Sequence, residues 1–298
     1  MYEKRNNNMA AHYLVLILIS ALAHSFYNFL VHKSGGNRLF LLLMFVVAAI
    51  SASVVYGFNF EFFTFSFKTF AIIYAASLFY ILYQVFVSKS YELGEISRLY
   101  PLSVLSPVLV PIWAVLFLHE QLSVSIVIGI CLSTAGAMIM KQKSLRSMEF
   151  ADLFTKRNLY AGAGYALTAS LMYSFGSVLD KFSVGLFNLI PYLWLLLTCM
   201  TLNLFIYTLL FENKVFASYK TIAWNRLIIA GVAAYISFFT FRAALQHVPV
   251  SVAVPIRTSS IVFALLMGVL FVGEKINTIK IIGITTIIIG IVIINISL

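Results

Sequence analysis

The chain has 298 residues, of which 62% are hydrophobic and 10% charged, with a mean hydropathy of +0.99. Water-soluble domains carry roughly 25% charged residues, so this composition excludes an ordinary soluble fold. The formal charge of +10 does not argue for nucleic acid, because basic residues in the loops of a membrane protein serve to orient it.

Apolar runs of about 20 residues, the length that crosses a bilayer core, recur from end to end. In the first half they fall at 10–31, 39–58, 69–90, 96–118 and 124–140. In the second they fall at 158–179, 188–211, 223–245, 250–272 and 277–297. Lipid offers no partner to a bare backbone, so each span is expected to be a helix. The alternating pattern of a membrane β-barrel is absent. Lys4-Arg5, an apolar stretch and Ala21-Leu22-Ala23 imitate a cleavable signal peptide. Retention of this helix is expected, since its loss would leave the first half short of the second. Cys131 and Cys199 lie inside apolar spans and imply no disulfide framework. The most polar stretch, Lys141–Arg157, divides the chain into residues 1–140, a basic linker at 141–157, and residues 158–298.

The two halves are copies. Tyr100-Pro101-Leu102-Ser103 is followed by Val115-Leu116-Phe117-Leu118-His119-Glu120, Gly129 and Gly136. The plan returns as Val254-Pro255-Ile256-Arg257, then Val269-Leu270-Phe271-Val272-Gly273-Glu274, Gly283 and Gly290. The offset is constant, since 255 − 101, 274 − 120, 283 − 129 and 290 − 136 all give 154. Ser97, Ser106, Val108, Val115, Phe117 and Ile130 recur at the same offset without a gap. A repeat of this length sets the architecture. Five helices per copy is an odd number, so the second copy is expected to enter the membrane upside down. The expected fold is therefore an all-α integral membrane protein of ten transmembrane helices in two inverted five-helix repeats, with a substrate site between the halves. Lys33, Arg38, Lys89, the linker's basic residues, Lys214, Lys220, Arg226, Lys275 and Lys280 fall on one side. That side is expected to be cytoplasmic and both termini external.

The doubled pattern of Pro101…Leu116-Phe117-Leu118-His119-Glu120 and Pro255…Leu270-Phe271-Val272-Gly273-Glu274 resembles EamA-type permeases of the drug/metabolite transporter superfamily. The resemblance covers the whole chain. It implies ten helices in two inverted repeats and the export or uptake of small metabolites such as amino acids, driven by ion coupling or exchange. His119 stands where the second copy has Gly273, a change expected to affect only the turn.

Charge at membrane depth is costly and marks candidate sites. Three arginines qualify: Arg257 at roughly 10 Å into its helix, Arg98 at about 3 Å, and Arg242 near the end of its own span. For Arg98 and Arg242 the competing reading is snorkelling to the interface. Arg257 follows Pro255, where a disturbed helix frees backbone groups. No carboxylate falls within a span, with Asp180 just past a helix end. Basic groups without buried acids favour an anionic or zwitterionic substrate, because arginine grips carboxylate or phosphate with two prongs. Polar stripes at helical spacing add Ser20, His24 and Asn28 in the first helix, and Ser77, Tyr80, Gln84 and Ser88 in the third. Tyr173, Ser177 and Lys181 form a third stripe, and Tyr235, Arg242 and Gln246 a fourth. The competing reading for each is an interhelical hydrogen bond.

The candidate substrate-binding residues are therefore His24, Asn28, Tyr80, Tyr83, Gln84, Arg98, Tyr100, Tyr173, Ser177, Arg242 and Arg257, with Pro101 and Pro255 as hinges. Gly129, Ser133 and Ala137, with Gly283 and Gly290, form small-residue seams that pack within the bundle or pair two copies. No enzyme, metal or cofactor signature is present. The expected activity is secondary active transport of a small anionic or zwitterionic metabolite, an amino acid or related compound, by alternating access. The alternative is an organic cation such as a quaternary amine held by aromatic faces. Expected partners are the substrate, membrane lipid and a coupling proton or exchanged solute, in a monomer within the cytoplasmic membrane of a bacterium.

Overall fold

A computed structural model describes residues 2–35, 37–59, 66–93, 96–140 and 157–297. The side chains of residues 2–10, 96–98, 101, 157–161 and 213 lie outside that description, as does the linker at 141–156. Every regular element among the described residues is helical. In order these are α1 (Tyr2–Lys33), α2 (Arg38–Phe58), α3 (Phe67–Leu93), α4 (Ile96–Ser103), α5 (Ser106–Leu118) and α6 (Val124–Met140). They continue as α7 (Arg157–Leu186), α8 (Leu189–Phe211), α9 (Trp224–Leu245), α10 (Val250–Arg257), α11 (Ser260–Val272) and α12 (Thr278–Ile296). A 3-10 segment, Asn213–Thr221, joins α8 to α9.

Among the described residues, seven segments are long and apolar enough to cross a membrane, and α5 and α6 are shorter apolar helices. The chain is an integral membrane protein. α7 is not among the seven because serine, glycine and tyrosine fill it; it packs against α3, α4, α5, α9 and α10. The remaining large contacts pair α1 with α9, α6 with α12, and α2 with α8 and α9.

Two expected spans are broken. The run at 96–118 divides into α4 and α5, where Pro107 enters the first turn of α5 and can donate no backbone bond. The run at 250–272 divides after Arg257. There Thr258 and Ser259 donate to the carbonyls of Pro255 and Ile256, three residues back rather than four. The breaks sit at matching places, since 257 − 103 and 260 − 106 both give the repeat offset. A third difference concerns α7, which continues to Leu186 and so carries Asp180 inside the helix.

The turns after α5 and α11 are alike despite their different residues. His119 (φ 55°) and Gly273 (φ 74°) both take the left-handed conformation. In each the following glutamate N–H reaches back six residues, Glu120 to the Ala114 carbonyl and Glu274 to that of Gly268. The six-to-one bond of a Schellman cap reaches back five residues, so both turns share the same variant of it, wider by one residue. Histidine accepts a backbone strain of about 1 kcal/mol that glycine avoids.

The glycine seams are used inside the chain, where α6 and α12 meet along their backbones. A Cβ on Gly136 would lie 2.6 Å from the Gly283 carbonyl oxygen and 2.7 Å from the Ile287 nitrogen. Neither backbone atom can rotate away. Gly136→Val is therefore expected to cost at least about 1–3 kcal/mol of overpacking and to lower the melting temperature in detergent. Gly164→Ala, with nothing within 4 Å of the new carbon, is expected to leave it unchanged or slightly raised.

Candidate functional site

A cavity of about 590 Å³ opens between the two helix breaks. Ser103, Val104, Ser106 and Pro107 line it from the first break, and Arg257, Thr258, Ser260 and Ile261 from the second. α1 contributes His24, Ser25 and Asn28; tyrosines 83, 91, 100 and 173 form much of the remaining wall. Glu274, Asn277 and Lys280 stand at its mouth, where the turn into α12 is exposed. The volume is that of an ordinary small-molecule site. Broken helices supply such sites in membrane transport folds because their free ends present backbone groups to a solute.

Arg257, the last residue of α10, is the charge in this wall. It is only 9% exposed. Nη1 is 3.3 Å from the Tyr173 hydroxyl, and Nη2 lies 3.3 Å from Ser237 Oγ and 3.4 Å from His24 Nδ1. These bonds are long, and Nε is buried with no acceptor. The guanidinium centre lies 4.4 Å from the centroid of the Phe241 ring, whose face attracts a cation. Among the described residues no carboxylate comes within ion-pair distance. The cation is thus held by neutral groups, with donor capacity left over.

Arg242 is placed quite differently. It is 1% exposed and faces Asp180 on α7, with Nη2 2.6 Å from Oδ2 and Nε 3.2 Å from Oδ1. Tyr80 donates to Oδ2 at 2.6 Å, and Tyr192 donates to Oδ1. The pair is closed on itself: acid, base and two phenols satisfy one another away from the cavity. The reading of the carboxylates from sequence needs correction here. A buried acid exists, because α7 continues past the expected end at 179, but its charge is already matched.

Of the residues expected at the site, His24, Asn28, Tyr83, Tyr100, Tyr173 and Arg257 line the cavity. Tyr80 and Arg242 belong to the Asp180 cluster, and Ser177 donates to the Tyr173 carbonyl at 2.9 Å. Gln84 is half-buried on α3 and off the cavity wall. The stripe on α3 meets other helices: Ser77 accepts from Asn203 at 3.0 Å and Ser88 from Arg38 at 2.9 Å. Arg98 and Pro101 lie in α4, and their side chains fall outside the described residues. Pro255 is buried in α10, two residues before the break. Sequence reasoning missed Ser25, Tyr91, Ser103, Thr258, Ser260 and the mouth residues. The repeat offset held the signal for two of them, since it pairs Ser103 with Arg257 and Ser106 with Ser260.

Comparison with known proteins follows the same lines. A model of the EamA-like transporter family matches residues 12–141 and again 160–296. A solved structure described only as "Crystal structure of protein" superposes with a TM-score of 0.78 at 14% identity, covering 96% of this chain and 98% of that one. At such identity the likeness is one of fold alone. No curated protein matches by sequence.

The buried pair has a measurable consequence. Asp180→Ala strands Arg242 without a counter-charge and is expected to cost about 3–5 kcal/mol, seen as loss of folded protein on size exclusion in detergent. Replacing both partners, Asp180→Leu with Arg242→Met, is expected to recover much of that loss, because no charge is then left buried alone.

Proposed function

The chain belongs to the EamA-like transporter family, and we propose that it is a secondary transporter of a small anionic or zwitterionic metabolite. Members of that family are membrane transporters and not enzymes. The amino acids and related carboxylated or phosphorylated compounds are the favoured class, and the membrane is the cytoplasmic membrane of a bacterium. Arg257 carries the reading: it is a nine-tenths buried cation in a cavity wall, with a free Nε–H and, among the described residues, no carboxylate beside it. A carboxylate or phosphate entering the cavity supplies what the protein withholds, two acceptor oxygens for a planar fork of donors.

Alternating access between two inverted five-helix repeats is the mechanism that fits. Three observations support it. The family model matches the chain twice, the helix breaks share one offset, and the packing is reciprocal. α1 on α9 is answered by α7 on α3, α1 on α11 by α7 on α5, and α2 on α9 by α8 on α3. An arrangement in which each half makes the other's contacts has a mirror state of similar energy, and a solute held between the halves meets each side in turn.

The tyrosine wall keeps the organic cation as a second reading, although a buried guanidinium in the same wall repels such a substrate. A melting panel on purified protein separates the two, because bound ligand raises stability by about 2.7 kcal/mol at 100 times Kd. Small carboxylates, phosphate esters or amino acids are expected to stabilise the protein, and Arg257→Ala is expected to abolish the effect. Uptake of the stabilising compound into proteoliposomes is expected to fall to background in both Arg257→Ala and Arg257→Lys. Stabilisation by quaternary amines alone would transfer the assignment to the second reading.

A further inference from the structure

Glu120 does more than end a turn. Its carboxylate accepts from the N–H groups of Val250 at 2.8 Å and Ser251 at 3.1 Å, and from the Ser251 hydroxyl. These are the first residues of α10, so an acid from one half caps a helix of the other. A carboxylate there satisfies otherwise unpaired donors and meets the positive end of the helix dipole. None of these residues lines the cavity, whose exposed mouth is at Glu274 and Asn277. Nearby, Lys181 Nζ donates to the Leu245 and Val248 carbonyls at 2.7 and 3.1 Å, and Tyr13 stacks on His247 with 4.6 Å between ring centroids.

The repeat contains the same parts in the other direction. Glu274 answers Glu120, and α4 begins at Ile96 and Ser97, the counterparts of Val250 and Ser251 at the offset of 154. Glu274 nevertheless lies exposed at the mouth, turned back on its own segment and bonded to Lys280. The counterpart of Lys280 is Ile126, and the lysine that does sit near Glu120, Lys181, is held by backbone carbonyls. Paired positions elsewhere differ in the same sense. Ala264 is exposed and lines the cavity, while its counterpart Val110 is 0% exposed.

We propose that Glu120 and Glu274 are alternating latches: Glu120 on α10 holds the present end shut, and Glu274 shuts the opposite end by capping α4 once Glu120 has let go. The proposal rests on the transport reading above. A helix cap suits this work because it is directional yet weak, so it biases two states without trapping either. Lys280 supplies the competing bond that keeps Glu274 off α4 in the present state.

The test reads water access at two paired positions and needs no substrate, so it fails or succeeds independently of the Arg257 assignment. Single cysteines, Val110→Cys or Ala264→Cys, are placed in a Cys131→Ala, Cys199→Ala background. Their labelling rates by a water-soluble maleimide are then measured on the purified full chain in detergent. Glu120→Ala is expected to speed Val110→Cys labelling roughly fivefold, the worth of a typical cap, and to slow Ala264→Cys labelling. Glu274→Ala is expected to slow Val110→Cys labelling and to leave Ala264→Cys at or above its starting rate. Ser251→Ala and Ser97→Ala, gentler changes that remove one hydroxyl each, are expected to act in the respective directions and carry the test if Glu120→Ala does not fold. Unchanged rates in both pairs, or shifts in the same direction from both glutamates, would overturn the proposal.

Discussion

A guanidinium at bilayer depth must replace its lost hydration with protein groups or an opposite charge, and this chain meets that constraint in two ways. Arg242 is neutralised by Asp180, and Tyr80 and Tyr192 take up the remaining acceptor capacity of the carboxylate. Among the described residues, Arg257 receives hydroxyls, an imidazole nitrogen and the face of Phe241. The first arrangement is complete and closes a contact between α7 and α9. The second is incomplete, and it is incomplete at the wall of the cavity. An unmatched buried charge is tolerable where a solute of opposite charge is delivered to it, which makes structure and transport one argument.

The helix breaks put Arg257 there. An unbroken helix through 250–272 would have every interior carbonyl occupied and would carry the arginine on one face among neighbours. Ending α10 at Arg257 instead turns its last residues, with Thr258 and Ser260, toward the matching break between α4 and α5. The other end of α10, its N-terminus at Val250, follows the turn after α9, and there Glu120 is the partner. Site and cap therefore sit at the two ends of one eight-residue helix.

Much of this was legible in the sequence, and what was not has physical reasons. Span α6 begins and ends where expected, at 124 and 140, because apolar content alone decides it. Apolar content is blind to the breaks at 104–105 and 258–259, which depend on hydrogen-bond register within continuous hydrophobic runs. Asp180 looked like a residue beyond a helix end because a lone acid does not belong in a span; only Arg242, distant in sequence, permits it. Depth in the span ranked Arg257 above Arg242, but what separates them is a partner on another helix, which depth does not show. Periodicity on α3 identified a polar face at Ser77, Tyr80 and Ser88 but not which neighbour it meets. Tyr91, on that same face seven residues after Gln84, and Tyr83 at its margin reach the cavity.

The central claim is that Arg257 waits for an external anion, and the most direct measurement looks for one. Anomalous diffraction from crystals of the full chain soaked in bromide locates bound anions without reference to the substrate. The account expects a peak beside the Arg257 guanidinium, near the Tyr173 hydroxyl and the His24 ring. No peak there, with Arg257 instead paired to a carboxylate of the protein itself, would contradict it.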